Sequence, residues 1–287
     1  MTTVAMFPGQ GAQRVGMGRD LFAEFPDLTE QADEVLGRSI RDLCLEDRDG
    51  LLDDTRYTQL AVFAVNALAF RRWRASEGDP DVVLGHSLGE YNALEAAGSI
   101  DFPSALRLIK ARAELTGRIK GAMTAVLGMS EERIRATLAE SDRLDVEIVN
   151  SNSPTQLVLA GPEASVGQAE EALRGAGAFD IRRLPISGPF HSRYMEPAAA
   201  QFAAQIGDVD IVPPRFPVIA NGTARPHAPD QIARGLARHI HQPVLWHASL
   251  VWILEQYPDA QFIEIGDSGI LTRMIRRIRP TLTRSPS

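Results

Sequence analysis

Short unbroken apolar runs alternate with long helical stretches over the first hundred residues. Val4–Phe7 and Val82–Leu84 are apolar throughout and end at glycine or proline, the pattern of buried strands. Between them the spacing from Gly18 to Arg74 is helical, and "YTQLAVFAVNALAFRRW" reads as one long, mostly buried helix. The order helix, strand, sharp turn, helix predicts an α/β core. Near Gly121 the rhythm changes. "AMTAVLGM" reads as a strand, "SEERIRATLAES" as a helix and "VEIVNSNSPTQLVLAG" as two strands joined by "NSNSP"; the helix "EASVGQAEEALRGAG" and the strand "FDIRRLPIS" follow. That βαββαβ order predicts a ferredoxin-like insert over residues 123–188. Long helix resumes at "HSRYMEPAAAQFAAQI", and "FPVIANGTARP" and "QFIEIGDSG" offer two further strands to the larger unit. The prediction is a large subdomain, residues 1–122 and 189–287, carrying a parallel sheet, with a small subdomain inserted in it; the "TRSPS" tail is expected to be disordered.

Composition narrows the classes. Hydrophobic content of 44% and charged content of 23% over 287 residues fit a soluble globular chain. No apolar run approaches the ~20 residues of a membrane helix and no leader precedes Val4, so a cytoplasmic protein is expected, with no membrane partner. A net charge of -7 argues against nucleic acid. Cys44 is the single cysteine, so no intrachain disulfide forms, and "IRDLCLED" buries it on a helix face. "RMIRRIRP" gathers arginines at helical spacing; a solvated helix face is the ordinary reading, and a local positive patch of Arg273, Arg276 and Arg277, suited to an acidic partner, the other.

The segment "VVLGHSLGEYNALEAAG" carries the chemistry. Ser87 could simply cap the helix that follows. However, a strand runs into it, Gly85 and Gly89 flank it at two residues' distance, and a helix leaves at once, which together describe a nucleophile elbow. A serine nucleophile needs a base. His86 adjoins Ser87 but should point away from it on so sharp a turn; His227, His239, His241 and His247 read as ordinary surface or packing histidines. His191, in "ISGPFHSRYM", lies where the chain leaves the insert and re-enters the large unit, beside the cleft between them. Spacing alone leaves its role open. Arg112, alone on a helix, would read as a surface arginine.

"FPGQGAQ", "GHSLGEYNAL", "KARAEL" and "GPFHSRYM", in this order, resemble the malonyl-CoA:acyl carrier protein transacylases. Length, "FHSRYM" and "NGTARP" are most similar to the free-standing members that serve polyketide synthases lacking built-in acyltransferases. The resemblance implies an α/β-hydrolase-like large subdomain and a ping-pong acyl transfer from malonyl-CoA to the phosphopantetheine thiol of an acyl carrier protein. It implies Ser87 as the acylated nucleophile, His191 as its base, and the amides of Gln10 and Leu88 as the oxyanion hole. A main-chain carbonyl at or near His239 would orient the histidine. Arg112 would grip the malonyl carboxylate, Phe190 would exclude an α-methyl group, and Asn152 and Gln156 would line the cleft. No metal or resident organic cofactor is implied, and the enzyme is expected to be a monomer. Ala113, Thr116, Pro189 and "GDSG" depart from the family pattern and bear on the identity of the acyl group. The rival readings are an acyl hydrolase of the same fold that clears stalled carrier proteins, and a non-catalytic docking partner. Arg112 disfavours the first and the intact set of site residues disfavours the second.

Overall fold

The structure, a computed structural model, describes residues 1–282, with 277–282 as backbone only. The tail expected to be disordered and the Arg277 side chain lie outside the described residues. In chain order the elements are β1 (Thr3–Phe7), α1 (Leu21–Glu24), α2 (Pro26–Leu36), α3 (Ile40–Leu45), α4 (Thr55–Glu77), β2 (Val82–Gly85), α5 (Gly89–Ala96) and α6 (Phe102–Thr116). Then come β3 (Ala122–Leu127), α7 (Glu131–Glu140), β4 (Glu147–Ser153), β5 (Gln156–Gly161), α8 (Glu163–Gly175) and β6 (Asp180–Arg183). The chain closes with α9 (Glu196–Ile206), β7 (Val218–Ala220), β8 (Arg225–Pro226), α10 (Ile232–His239), α11 (Trp246–Gln256), β9 (Gln261–Glu264) and α12 (Ile270–Leu282).

One sheet has the order β8-β7-β2-β1-β9, parallel except for the short edge strand β8. Its central strands are apolar at successive positions because both faces are covered. Ala5, Phe7 and Val83 point into a core that includes Phe63 and Leu68 of α4, Leu94 of α5 and Leu106 of α6. Their neighbours Val4, Met6, Val82 and Leu84 point the other way, onto Leu250 and Ile253 of α11 and Leu271 of α12.

The second sheet has the order β4-β5-β3-β6 and is antiparallel throughout. Alternation divides its side chains in the same way. Val126, Leu157 and Leu159 pack under α7 and α8. Met123, Ala125, Val158 and Ala160 face the core of the first sheet instead. The expected "NSNSP" turn is shorter than the sequence suggests: β4 continues through Ser153, leaving Pro154 and Thr155 to turn the chain. Register shifts within β4 accompany this, and Asn150 and Asn152, two residues apart, are both buried at the cleft. The edge of β4 also bonds to the segment after α10: Ser151 N–H donates to the Val244 carbonyl at 2.9 Å, and Val244 N–H to the Val149 carbonyl at 2.9 Å.

Backbone contact between the β1 end and the β2–α5 turn fixes the cleft floor. A Cβ on Gly85 would fall inside the backbone of Gly89, one on Gly89 against the Phe7 carbonyl, and one on Gly9 against the His86 carbonyl. Gly89→Ala is therefore expected to cost about 3 kcal/mol or more in urea unfolding, since no flexible side chain can yield to the new methyl. Gly175→Ala, near the end of α8 with nothing within 4 Å, should instead gain about 0.4 to 1 kcal/mol.

Candidate active site

The turn after β2 holds Ser87 at a φ of 52°, a left-handed conformation unusual for a non-glycine residue and characteristic of a nucleophile elbow. Asn221, at the end of β7, holds the turn. Its Nδ2 donates to the Gly85 carbonyl at 2.7 Å, and its Oδ1 accepts from the Ser87 amide at 2.8 Å. The amides of His86, Gly89 and Glu90 also have acceptors, in the Phe7, His86 and Ser87 carbonyls. Among the described residues, the amides of Leu88 and Gln10 have no acceptor within the protein. These two donors are the ones the family resemblance implied for an oxyanion hole. The Gln10 side chain is turned away, donating to Thr55 Oγ1 at 3.0 Å.

His191 meets this turn from the far side of the cleft. Its Nε2 lies 2.7 Å from Ser87 Oγ, and its Nδ1 lies 2.7 Å from the His239 carbonyl. A carbonyl only accepts, so Nδ1 carries the proton and Nε2 offers its lone pair to the serine hydroxyl. His191 is buried, with a φ of 64°, and its amide donates to the Ile240 carbonyl. Burial, then the neighbouring His239, Arg112 and His86, push its pKa well below the ordinary imidazole value. The ring is thus neutral and able to accept a proton at neutral pH.

Arg112 is buried, contrary to the bare sequence reading of a lone helical arginine, with 3% of its surface exposed. Its position on α6 turns it inward. Nη1 donates to Gln59 Oε1 of α4 at 2.5 Å, Nη2 lies 3.4 Å from Ser87 Oγ, and the guanidinium stands 5.9 Å from the Phe190 ring centroid. No carboxylate pairs with it among the described residues. Ser87, Leu88, Gln10, Arg112, Phe190 and His191 all line one cavity of about 240 Å³, and Asn150, Asn152 and Gln156 close it from the β4–β5 side. A roomier cavity of about 740 Å³, bounded by Arg56, Lys110 and Lys120, contains neither Ser87 nor His191.

Asn152 is already engaged. His86 Nε2 donates to its Oδ1 at 2.9 Å, joining the elbow to β4. Of the surface and packing readings given to His227 and His239, the packing one holds: both rings are buried and both approach the buried Glu90. Gln59, Asn221 and Glu90 were not singled out in the sequence. Their one signal was a polar residue inside or beside an apolar run, as in "TQLAVFAV" and "FPVIANG".

The chain is similar throughout to known acyltransferases. The acyl transferase domain family matches residues 4–280. The polyketide biosynthesis protein ThaF of Burkholderia thailandensis is 44% identical over 277 residues, covering 96% of this chain and 24% of that protein, so this chain spans about a quarter of its length. The polyketide biosynthesis malonyl CoA-acyl carrier protein transacylase PksC of Bacillus subtilis is 41% identical over 277 residues, covering 96% of both. The crystal structure of a malonyl CoA-acyl carrier protein transacylase from Burkholderia pseudomallei superposes with a TM-score of 0.95 at 42% identity, covering 100% of both chains.

Burial holds His86 below the ordinary imidazole value, at about 4, and pushes His191 down as well. A histidine less basic when folded leaves the unfolded state binding more protons below the ordinary imidazole value of 6.5, so its share of stability is lost as the pH falls from 6.5 toward about 4. Burial raises the Glu95 carboxyl, which contributes with the opposite sign, so the difference between variants is the informative quantity. His86→Gln should flatten the pH dependence of urea stability in that window by up to about 1.4 kcal/mol per pH unit, one proton's worth.

Proposed function

The chain belongs to the acyl transferase domain family, and from that premise we propose that it transfers a malonyl group from malonyl-CoA to the phosphopantetheine thiol of an acyl carrier protein. The observation that carries this reading is the single cavity in which Ser87 Oγ stands 2.7 Å from a neutral His191 and 3.4 Å from an Arg112 that has no anionic partner among the described residues. His191 Nε2 takes the serine proton as Oγ attacks the thioester carbon. The oxyanion accepts from the Gln10 and Leu88 amides, CoA leaves as its thiol with the proton from His191, and a malonyl-serine ester remains. The carrier-protein thiol then reverses these steps. The guanidinium fork holds the free carboxylate through both halves, and Phe190 narrows the space beside the α-carbon. The chemistry belongs to these side chains and amides, with no resident metal or organic cofactor in the scheme.

The two sheets support a division into an α/β-hydrolase-like unit, residues 1–122 and 189–287, and a ferredoxin-like unit, residues 123–188, with the cavity between them. Similarity to polyketide biosynthesis proteins supports service in trans to a polyketide synthase. No helix among the described residues is long and apolar enough to cross a membrane. An acyl hydrolase of the same fold is disfavoured, because a plain acyl chain would leave the buried guanidinium unpaired. Arg273 and Arg276, both exposed on α12, are the candidate contacts for an acidic carrier protein.

Incubation with malonyl-CoA should add one malonyl group to the intact protein, read by mass spectrometry, and Ser87→Ala should abolish the addition. Arg112→Ala should slow malonyl transfer by about 100-fold or more and leave acetyl transfer level or raised, since only the carboxylate loses its partner. Parallel loss of both activities in a folded protein would return the choice of acyl group to the departures at Ala113 and Thr116. Arg273→Glu combined with Arg276→Glu should raise the KM for carrier protein and leave acylation by malonyl-CoA unchanged, as steady-state assays at several salt concentrations would read.

A further inference from the structure

Glu90 is a buried carboxylate that the proposed transfer does not use. It lies in the first turn of α5, three residues after Ser87, with 1% of its surface exposed. Two buried imidazoles face it. His227 Nε2 donates to Oε1 at 2.6 Å, and His239 Nδ1 stands 3.0 Å from Oε2, off the line of a well-formed hydrogen bond. His239 is also the residue whose carbonyl holds His191 Nδ1, and its ring stacks on that of His191 with centroids 4.6 Å apart and planes at 26°. The contacts form a closed circuit: Ser87 to His191, His191 to both carbonyl and ring of His239, His239 to Glu90, and one helical turn back to Ser87.

We propose that Glu90 is a positioning residue for His191: its carboxylate anchors the His239 ring and carbonyl against the catalytic imidazole and supplies the anion that a Ser–His pair without an aspartate otherwise lacks. This rests on the acyl-serine reading of Ser87. When Oγ bonds to the acyl carbon its proton passes to His191 Nε2, and Nδ1 keeps its own proton in the bond to the His239 carbonyl. The positive charge so formed lies against the His239 ring, whose Nδ1 edge meets Glu90. No proton moves to Glu90, which stays ionised: burial opposes its charge, but His239 and His227 outweigh burial and hold the carboxyl well below the ordinary range. The His239 ring itself, Arg112 from α6 and His86 from the elbow all disfavour the His191 imidazolium, while the His239 carbonyl favours it; Tyr91, beside Glu90 and Arg112, is neutral, its phenol pushed up by burial. Glu90 is the one negative group in this circuit.

The test acylates Ser87 with p-nitrophenyl acetate, an activated ester whose burst does not depend on the natural donor. Burst amplitude counts intact sites, so the rate constant is read per folded site and a folding defect does not enter it. Glu90→Gln should slow the burst by about ten-fold or more with the ester concentration at half-maximal rate unchanged. Its acidic limb should move to lower pH, because losing the anion makes His191 less basic. His239→Gln keeps the carbonyl, removes the ring, and should slow the burst likewise. A wild-type rate per site in either variant, or a slowed Glu90→Gln whose acidic limb has not moved, overturns the proposal. Absence of a burst from the unsubstituted protein would instead overturn the nucleophile reading of Ser87, and this inference with it.

Discussion

Backbone packs directly on backbone where the loop after β1 meets the turn after β2, and the rest of the site is arranged around that contact. Gly9, Gly85 and Gly89 supply the missing Cβ atoms. Because they do, Ser87 can take a left-handed φ, the Leu88 and Gln10 amides are left free on the same side, and α5 starts immediately beneath them. The strain at Ser87 is held by what surrounds it: Asn221 bonds both sides of the turn, and the flanking strands are buried on both faces. Rigidity here comes from close approach of peptide units, which have few alternative arrangements.

Electrostatics impose the second constraint. Arg112 is enclosed with a neutral amide, Gln59, as its close partner, and burial disfavours its charge. An isolated buried cation is costly, and the natural relief is a ligand that brings the missing anion. The same cation beside His191 makes that imidazole a poorer proton acceptor. In the proposed transfer a bound carboxylate therefore changes two things at once: it neutralises the guanidinium and removes one of the charges opposing the imidazolium. Substrate binding and base strength are coupled through one side chain.

The parts of this design that depend on local backbone chemistry were legible in the sequence. Glycine spacing about Ser87, the strand before it and the helix after it follow from short-range sterics, and the βαββαβ element order followed from hydrophobic periodicity. The burial of Arg112 did not. Helical spacing gives a residue's face relative to its neighbours on that helix, whereas the environment of Arg112 is made by α4 and by Phe190, distant in sequence. The His239 carbonyl is a main-chain group and leaves no mark in residue identity; only the resemblance pointed to it. Asn152 was assigned to the cleft and lies there, but its engagement by His86 depends on how β4 meets the elbow, a tertiary relation that the "NSNSP" pattern does not encode.

A carbonyl partner for His191 has consequences that a carboxylate would not. It fixes the tautomer without carrying a full charge, so it orients the ring but stabilises the imidazolium less. It is also part of the chain, so its location depends on everything that holds residues 239–245. Those restraints come from three directions: Val244 bonds to the edge of β4, the Ile240 carbonyl accepts from the His191 amide, and the His239 ring is seated on Glu90 beside His227. The first ties the orienting carbonyl to the second sheet and the last ties it to the elbow. Movement of one sheet against the other would thus disturb the base as well as the walls of the cavity. The walls of the cavity and the alignment of the Ser87–His191 pair therefore rest on the same set of restraints.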